Sequence, residues 1–193
     1  MIFRCVPPDM MMFLQGGSAW KIFAEGEIDA DAGSRLEQAL SQSDIPLGSQ
    51  IYINSPGGSL VGGLDLGRVI RNYSLDSYVG KEGKLERGFQ FHESGNCMSA
   101  AAIAYLGGRY RFIDRTSQVG IHRFSLGPSF QGDVDRAQML SATVVEYIQS
   151  MGVSTDLFAL ASDVPADDIL IVPHETLRRL GVVNDGQGAT NWS

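Results

Sequence analysis

Ile51-Tyr52-Ile53-Asn54-Ser55-Pro56-Gly57-Gly58-Ser59 is the stretch from which the rest of the chain can be read. Ile51, Tyr52 and Ile53 are β-prone and apolar, the make-up of a buried strand. Pro56 fixes one φ and lacks an N–H, while Gly57 and Gly58 permit positive φ, so the chain turns sharply after the strand. From Ser59 the period changes. Leu60, Val61, Leu64, Val69 and Ile70 recur at three- and four-residue steps, which predicts a helix. The glycine amides therefore stand at a helix N-terminus, where unpaired N–H groups and the dipole favour negative charge. An oxyanion is one such charge. An ordinary βα turn reads the same way, so the stretch gains chemical meaning only through its partners.

Two later segments supply partners. Cys97-Met98-Ser99-Ala100-Ala101-Ala102-Ile103-Ala104-Tyr105-Leu106-Gly107-Gly108 reads as a buried helix of small and apolar side chains that stops at its glycines. A serine near its start serves as an N-cap in an ordinary helix. Its small neighbours would also let a hydroxyl and the Ala100 amide approach the Gly57-Gly58 turn. Ser59, Ser117 and Ser125 are rival hydroxyls without that setting. Ser117-Gln118-Val119-Gly120-Ile121-His122 alternates like a strand and ends on one of three histidines, the others being His92 and His174. A serine is a weak nucleophile until a base takes its proton, which neutral imidazole does near neutral pH. A third group orients that imidazole in a complete triad. Asp163, Asp167 and Asp168 all precede the last strand and helix, and each is a candidate.

Taken together these residues resemble the Clp protease proteolytic subunit (ClpP) superfamily, over roughly residues 20 to 185. Within it the chain is similar to small bacterial ClpP-like proteins described as predicted periplasmic proteins. Ile51 to Gly58 matches the family's strand and oxyanion turn, and Cys97-Met98-Ser99-Ala100 resembles the Cys-X-Ser-Ala nucleophile segment of the small group. Val119-Gly120-Ile121-His122 matches the strand that ends in the catalytic histidine. Ser125 to Gly132 resembles the loop that follows it, and Gln131 to Gly152 the long handle helix and its exit.

The resemblance implies an α/β chain with the ClpP/crotonase-like fold of repeated β-β-α units, one domain over residues 1–193. It implies Ser99 as nucleophile, His122 as general base, Gly58 and Ala100 as oxyanion-hole donors, and Gly57 as the residue that shapes the turn. Counting back from Glu175 makes Asp168 the third member, with Asp167 as rival; counting back from Gly181 lands on Ile169. A Ser-His dyad is the remaining form. The nucleophile also has two frames. An ungapped count from His122 lands on Cys97, whereas aligning the helix end at Gly108 lands on Ser99 and places a two-residue deletion in a turn. A turn accepts a deletion more easily than a helix accepts a frame shift, which favours Ser99.

Residues 81–96 depart from the family pattern. The segment is charged and punctuated by glycine, and reads as an exposed inserted loop leading into the nucleophile helix. Lys81 and Lys84 within it suggest the Ser-Lys alternative used on related folds, against which His122 stands at the matching position. The handle-like helix is expected over 131–152, with Met139, Leu140, Val144, Tyr147, Ile148 and Met151 on a broad apolar stripe that favours a homo-oligomer. Other expected elements are strands at Lys21–Ala24 and Arg109–Ile113, a helix at Asp31–Ser43, and a final short strand from Val182-Val183.

Composition narrows the partners. A net charge of −7 with no basic run argues against nucleic acid. Met10-Met11-Met12-Phe13-Leu14 is too short to span a membrane, and Cys5 and Cys97 are too few for a disulfide framework. No metal-ligand spacing is visible, and the chemistry needs no cofactor. The start of the chain has no signal-peptide pattern, so as given it reads as cytoplasmic, or as periplasmic if a leader has been removed. The expected partners are a peptide or unfolded protein as substrate, further copies of the chain, and an ATP-dependent unfoldase. The alternatives are a non-catalytic oligomeric scaffold and a crotonase-type acyl-CoA enzyme on the same fold.

Overall fold

The structure, a computed structural model, describes residues 1–8, 18–86, 89–124 and 134–185. Met10 to Leu14, Arg87-Gly88, Ser125 and positions 131–133 of the handle-like helix lie outside the described residues. The strands are β1 (Ile2–Val6), β2 (Lys21–Glu25), β3 (Gln50–Asn54), β4 (Asp76–Val79), β5 (Lys81–Glu86), β6 (Phe89–Glu93), β7 (Asn96–Met98), β8 (Arg111–Ile113), β9 (Gln118–Ile121) and β10 (Leu170–Ile171). The helices are α1 (Ala32–Gln42), α2 (Leu60–Asn72), α3 (Ala100–Tyr105), α4 (Val134–Ser150), α5 (Asp156–Ser162) and α6 (His174–Arg179).

One sheet has the order β1-β2-β3-β4-β8 and a second the order β10-β9-β7. From β2 to β8 the first sheet is parallel, with β1 antiparallel at its edge. In the second, β7 is parallel to β9 and β10 is antiparallel to it. A bridge between Ser55 and Cys97 ties the end of β3 to β7. Ile22, Ala24, Ile51, Ile53 and Val79 join Leu36, Leu40, Leu66, Ile70 and Ile103 in the core under the helices. The alternate positions form one cross-strand row in register, Phe23, Tyr52, Tyr78 and Phe112. Their rings stack at 5.3, 4.8 and 4.6 Å. Strands covered on both faces read as unbroken apolar runs, which is why Ile51-Tyr52-Ile53 shows no alternation.

Helices α2 and α3 pack at unusually short range because small residues face each other. A Cβ at Gly63 would come within 2.6 Å of Ala100 O and 3.1 Å of Ala100 Cβ. Gly67 likewise lies against Ala104 O and the Tyr147 hydroxyl, which donates to Ile103 O at 2.9 Å. This contact sets how near the start of α3 comes to the turn before α2.

Three local expectations change. Residues 81–93 are not an irregular loop but an antiparallel hairpin, β5–β6. Its polar pattern hides the strands, and tertiary contacts hold them: Lys81 pairs with Glu93 at 3.3 Å, Glu82 N–H donates to Glu25 Oε1 at 2.9 Å, and the His92 ring lies 4.7 Å from Tyr52. The helix expected from Cys97 begins at Ala100, because Asn96–Met98 is drawn into β7. Val182-Val183 is not a strand; both N–H groups turn back onto Leu177 O, at 2.8 and 3.3 Å, after Gly181 at φ 74°. In α4, Val144, Tyr147, Ile148 and Met151 are buried in the core, while Met139 is 70% exposed.

Candidate active site

The turn after β3 is built by hydrogen bonds to its flanks. Ile28 N–H donates to Gly57 O and Ser59 N–H to Ile28 O, both at 2.7 Å. Such alternation turns the N–H of the intervening Gly58 to the other side. Ser55 Oγ, buried, accepts Gly57 N–H at 3.1 Å and shapes the bend. Both glycines need their conformations: Gly57 has φ 104° and Gly58 φ 132°. A Cβ at Gly57 would lie 2.7 Å from Met98 O and 2.8 Å from Ser99 Cβ, so the turn runs directly against Ser99. A Cβ at Gly58 would collide with Ile28 O.

Ser99 joins β7 to α3 at φ 54° and ψ −121°. This is sparsely populated backbone for a residue with a Cβ, and such strain concentrates at functional sites. A strand-to-helix bend of this kind thrusts a serine hydroxyl outward in hydrolases that use a nucleophile elbow. Ser99 stands at the N-cap position, yet its side chain makes no cap hydrogen bond. The Gly58 and Ala100 N–H groups donate to no described residue. The site thus holds a free hydroxyl and two unspent backbone donors, at the start of α3 and of the turn that abuts it.

Strand β9 brings the histidine alongside. Ser99 N–H donates to Gly120 O at 2.8 Å, and His122 follows two residues later on the same face. The turn entering β9 is fixed by Asp114, which accepts Thr116 N–H at 2.9 Å and Ser117 N–H at 2.7 Å. Burial raises the Asp114 carboxyl, and these N–H bonds outweigh it and hold the group below its ordinary value. His122 is half-buried, and its Nδ1 is a buried atom without a partner among the described residues. No hydrogen bond joins Ser99 Oγ to His122 among the described residues.

The other candidates are exposed, buried or already hydrogen-bonded. Asp163, Asp167 and Asp168 are exposed, and Asp168 Oδ1 accepts the N–H of its own neighbour Ile169 at 2.7 Å. Cys97 is 0% exposed, its Sγ donates to Ile53 O at 3.4 Å, and burial pushes its thiol well up. A thiol in that state is a poor nucleophile. Lys81 is paired with Glu93. His174 Nε2 lies 3.0 Å from Ser117 O, and His92 lies on the aromatic row. Ser59 caps α2 through Gly62 N–H at 3.2 Å, and Ser117 Oγ is spent on Val79 O at 2.9 Å. Sequence reasoning missed Ser55 and Asp114 as organisers of the site, although Ser two residues before Gly and Asp two residues before Thr are both turn signals. No group of three or more metal-ligating side chains occurs among the described residues. No described helix is long and apolar enough to cross a membrane.

The chain has the ClpP-like α/β fold. It superposes on a solved structure of a mutant ClpP1 from Listeria monocytogenes with a TM-score of 0.61 and 18% sequence identity, covering 85% of this chain and 88% of that one. No protein-family model matches the sequence. No curated protein matches it either.

Proposed function

We propose that this chain is a ClpP-like serine peptidase. Ser99 Oγ attacks the scissile carbonyl while His122 takes its proton, and the Gly58 and Ala100 N–H groups receive the oxyanion. His122 then protonates the leaving amine, and water releases the acyl-enzyme by the same steps. The observation that carries this reading is the backbone of Ser99: a serine at φ 54° on a strand-to-helix junction, beside two unspent N–H groups. The reading requires Ser99 and His122 but no cofactor. It extends to a peptide or unfolded-protein substrate, to one domain over 1–193 with the 81–93 hairpin as an insertion, to a homo-oligomer in which the exposed half of α4 takes part, and to delivery by an ATP-dependent unfoldase. Kinship with the small ClpP-like group described as periplasmic belongs to the same proposal.

Intact-mass spectrometry after fluorophosphonate treatment tests it on wild type, Ser99→Ala and Cys97→Ala. One adduct is expected on wild type and Cys97→Ala and none on Ser99→Ala. That adduct would also count against acyl-CoA chemistry, which needs the paired amides but no activated serine. The missing hydrogen bond between Ser99 and His122 favours a second reading, an oligomeric scaffold without catalysis. A scaffold gives no adduct on any form, and Ser99→Ala leaves its function unchanged.

A further inference from the structure

The buried Nδ1 of His122 has no partner among the described residues, and the β9–β10 ladder ends one residue before it. Leu170 pairs with Ile121 and Ile171 with Gly120. The ladder ends at Leu170 and Ile121, and the next residue on each side of it is Ile169 and His122, after which Arg123 N–H turns to Val164 O. Directly opposed residues share a face of the sheet, as do residues two apart on one strand. The side-chain contacts agree: a Cβ at Gly120 would lie 2.8 Å from Ile169 Cδ1 and 2.9 Å from Ile169 Cγ1, with Met98 Sδ also against it. Ile169 and Met98 therefore form an apolar floor over Gly120, between the strand position of His122 and the start of Ser99. The charged groups on the segments beside His122 are Arg123, Asp163, Asp167 and Asp168, all exposed.

We propose that Ile169 occupies the place of the orienting acid, so that the site is a Ser99–His122 pair whose imidazole is positioned by packing and strand register alone. Resting on the serine-peptidase reading, this makes Ile169 a positioning residue and gives Asp168 no part in the chemistry. An imidazole without a carboxylate at Nδ1 is free to hold either neutral tautomer. A carboxylate in that place is worth about 10⁴ in rate in a complete triad. Ile169 is 39% exposed and abuts a glycine, so a shorter polar side chain fits there without burying a charge.

The test substitutes Ile169→Asp, Ile169→Asn and Asp168→Asn in the full chain and reads two quantities. One is the rate of fluorophosphonate labelling at Ser99. The other is the titration of His122, resolved from His92 and His174 by NMR. Ile169→Asp should raise labelling at least about tenfold and move the His122 titration to higher pH. Ile169→Asn should leave the titration nearly in place, and Asp168→Asn should change neither quantity. An unmoved titration in Ile169→Asp, or a downward shift in Asp168→Asn, overturns the inference while wild-type labelling keeps the peptidase reading intact. A shifted titration with no labelling of any variant supports the placement of Ile169 and removes the peptidase reading instead.

Discussion

Ser99 pays for its position in backbone strain. Residues with a Cβ held in such regions cost about 1–3 kcal/mol, and the turn at Gly57 runs so close that a Cβ there would lie 2.8 Å from Ser99 Cβ. Substitutions therefore separate strain from chemistry. Ser99→Ala keeps the Cβ and the strain, whereas Ser99→Gly removes both and loses some stability to the freer unfolded chain. Ser99→Gly should be more stable than Ser99→Ala by about 1 kcal/mol, measured by urea denaturation, and neither should react with fluorophosphonate. A Ser99→Gly chain less stable than Ser99→Ala by the ordinary glycine penalty, about 0.5–1 kcal/mol, would mean that the positive φ at Ser99 carries no strain. At this scale the sequence shows the residue types but not their conformations. Ser99 reads as an N-cap because it precedes an alanine run, and nothing in that run reveals that its side chain leaves the cap bond unmade. Counting along the chain nominates Asp168, and a count cannot tell which of Asp168 and Ile169 faces β9.

The two helices that start at the site are held in place by their small residues. Gly63 on α2 meets Ala100 on α3, so the position of the Ala100 N–H follows from the absence of a side chain one turn into the neighbouring helix. Gly63→Val should push α3 outward, cost about 1–3 kcal/mol through overpacking, and slow labelling of Ser99 beyond what the loss of folded protein explains. Thermal unfolding and labelling rate on the same sample check both effects; unchanged labelling would show that the interface does not set the donor. The strand–turn–helix from Gln50 to Asn72 was legible because its apolar period changes at a Pro-Gly-Gly turn. Strands β7 and β10 were not, since three and two residues are too few to show a period. The hairpin β5–β6 was hidden for a different reason: its charged pattern is that of a loop, and its order comes from Tyr52, Glu25 and Arg4 on other strands.

Across the whole molecule, α3 is fixed at both ends by unlike means. Its N-terminus opens into the candidate site with unspent donors, and its C-terminus converges with those of α4 and α6 on Arg111, which is 2% exposed. Arg111 Nε donates to Val182 O at 2.9 Å; Nη1 donates to Leu106, Gly108 and Met151 O at 3.2, 2.9 and 3.3 Å; and Nη2 donates to Gly181 O at 2.8 Å. Burial pulls the guanidinium down to about 10, which still leaves it charged at neutral pH. The partial negative charge of three helix ends suits that cation. None of this was legible, because an arginine in Arg109-Tyr110-Arg111 looks like a solvated strand end and most of its acceptors lie in two distant segments, at Met151 and at Gly181-Val182. Arg111→Met fills the volume but leaves several carbonyls unpaired, so it should cost about 3–5 kcal/mol, read as a lower urea midpoint. Because the loss falls at the far end of α3, the fraction that remains folded should label at Ser99 at the wild-type rate. A labelling rate that falls in step with the midpoint would mean that the two ends of α3 are coupled, and that Arg111 helps set the geometry of the site as well as the stability of the fold.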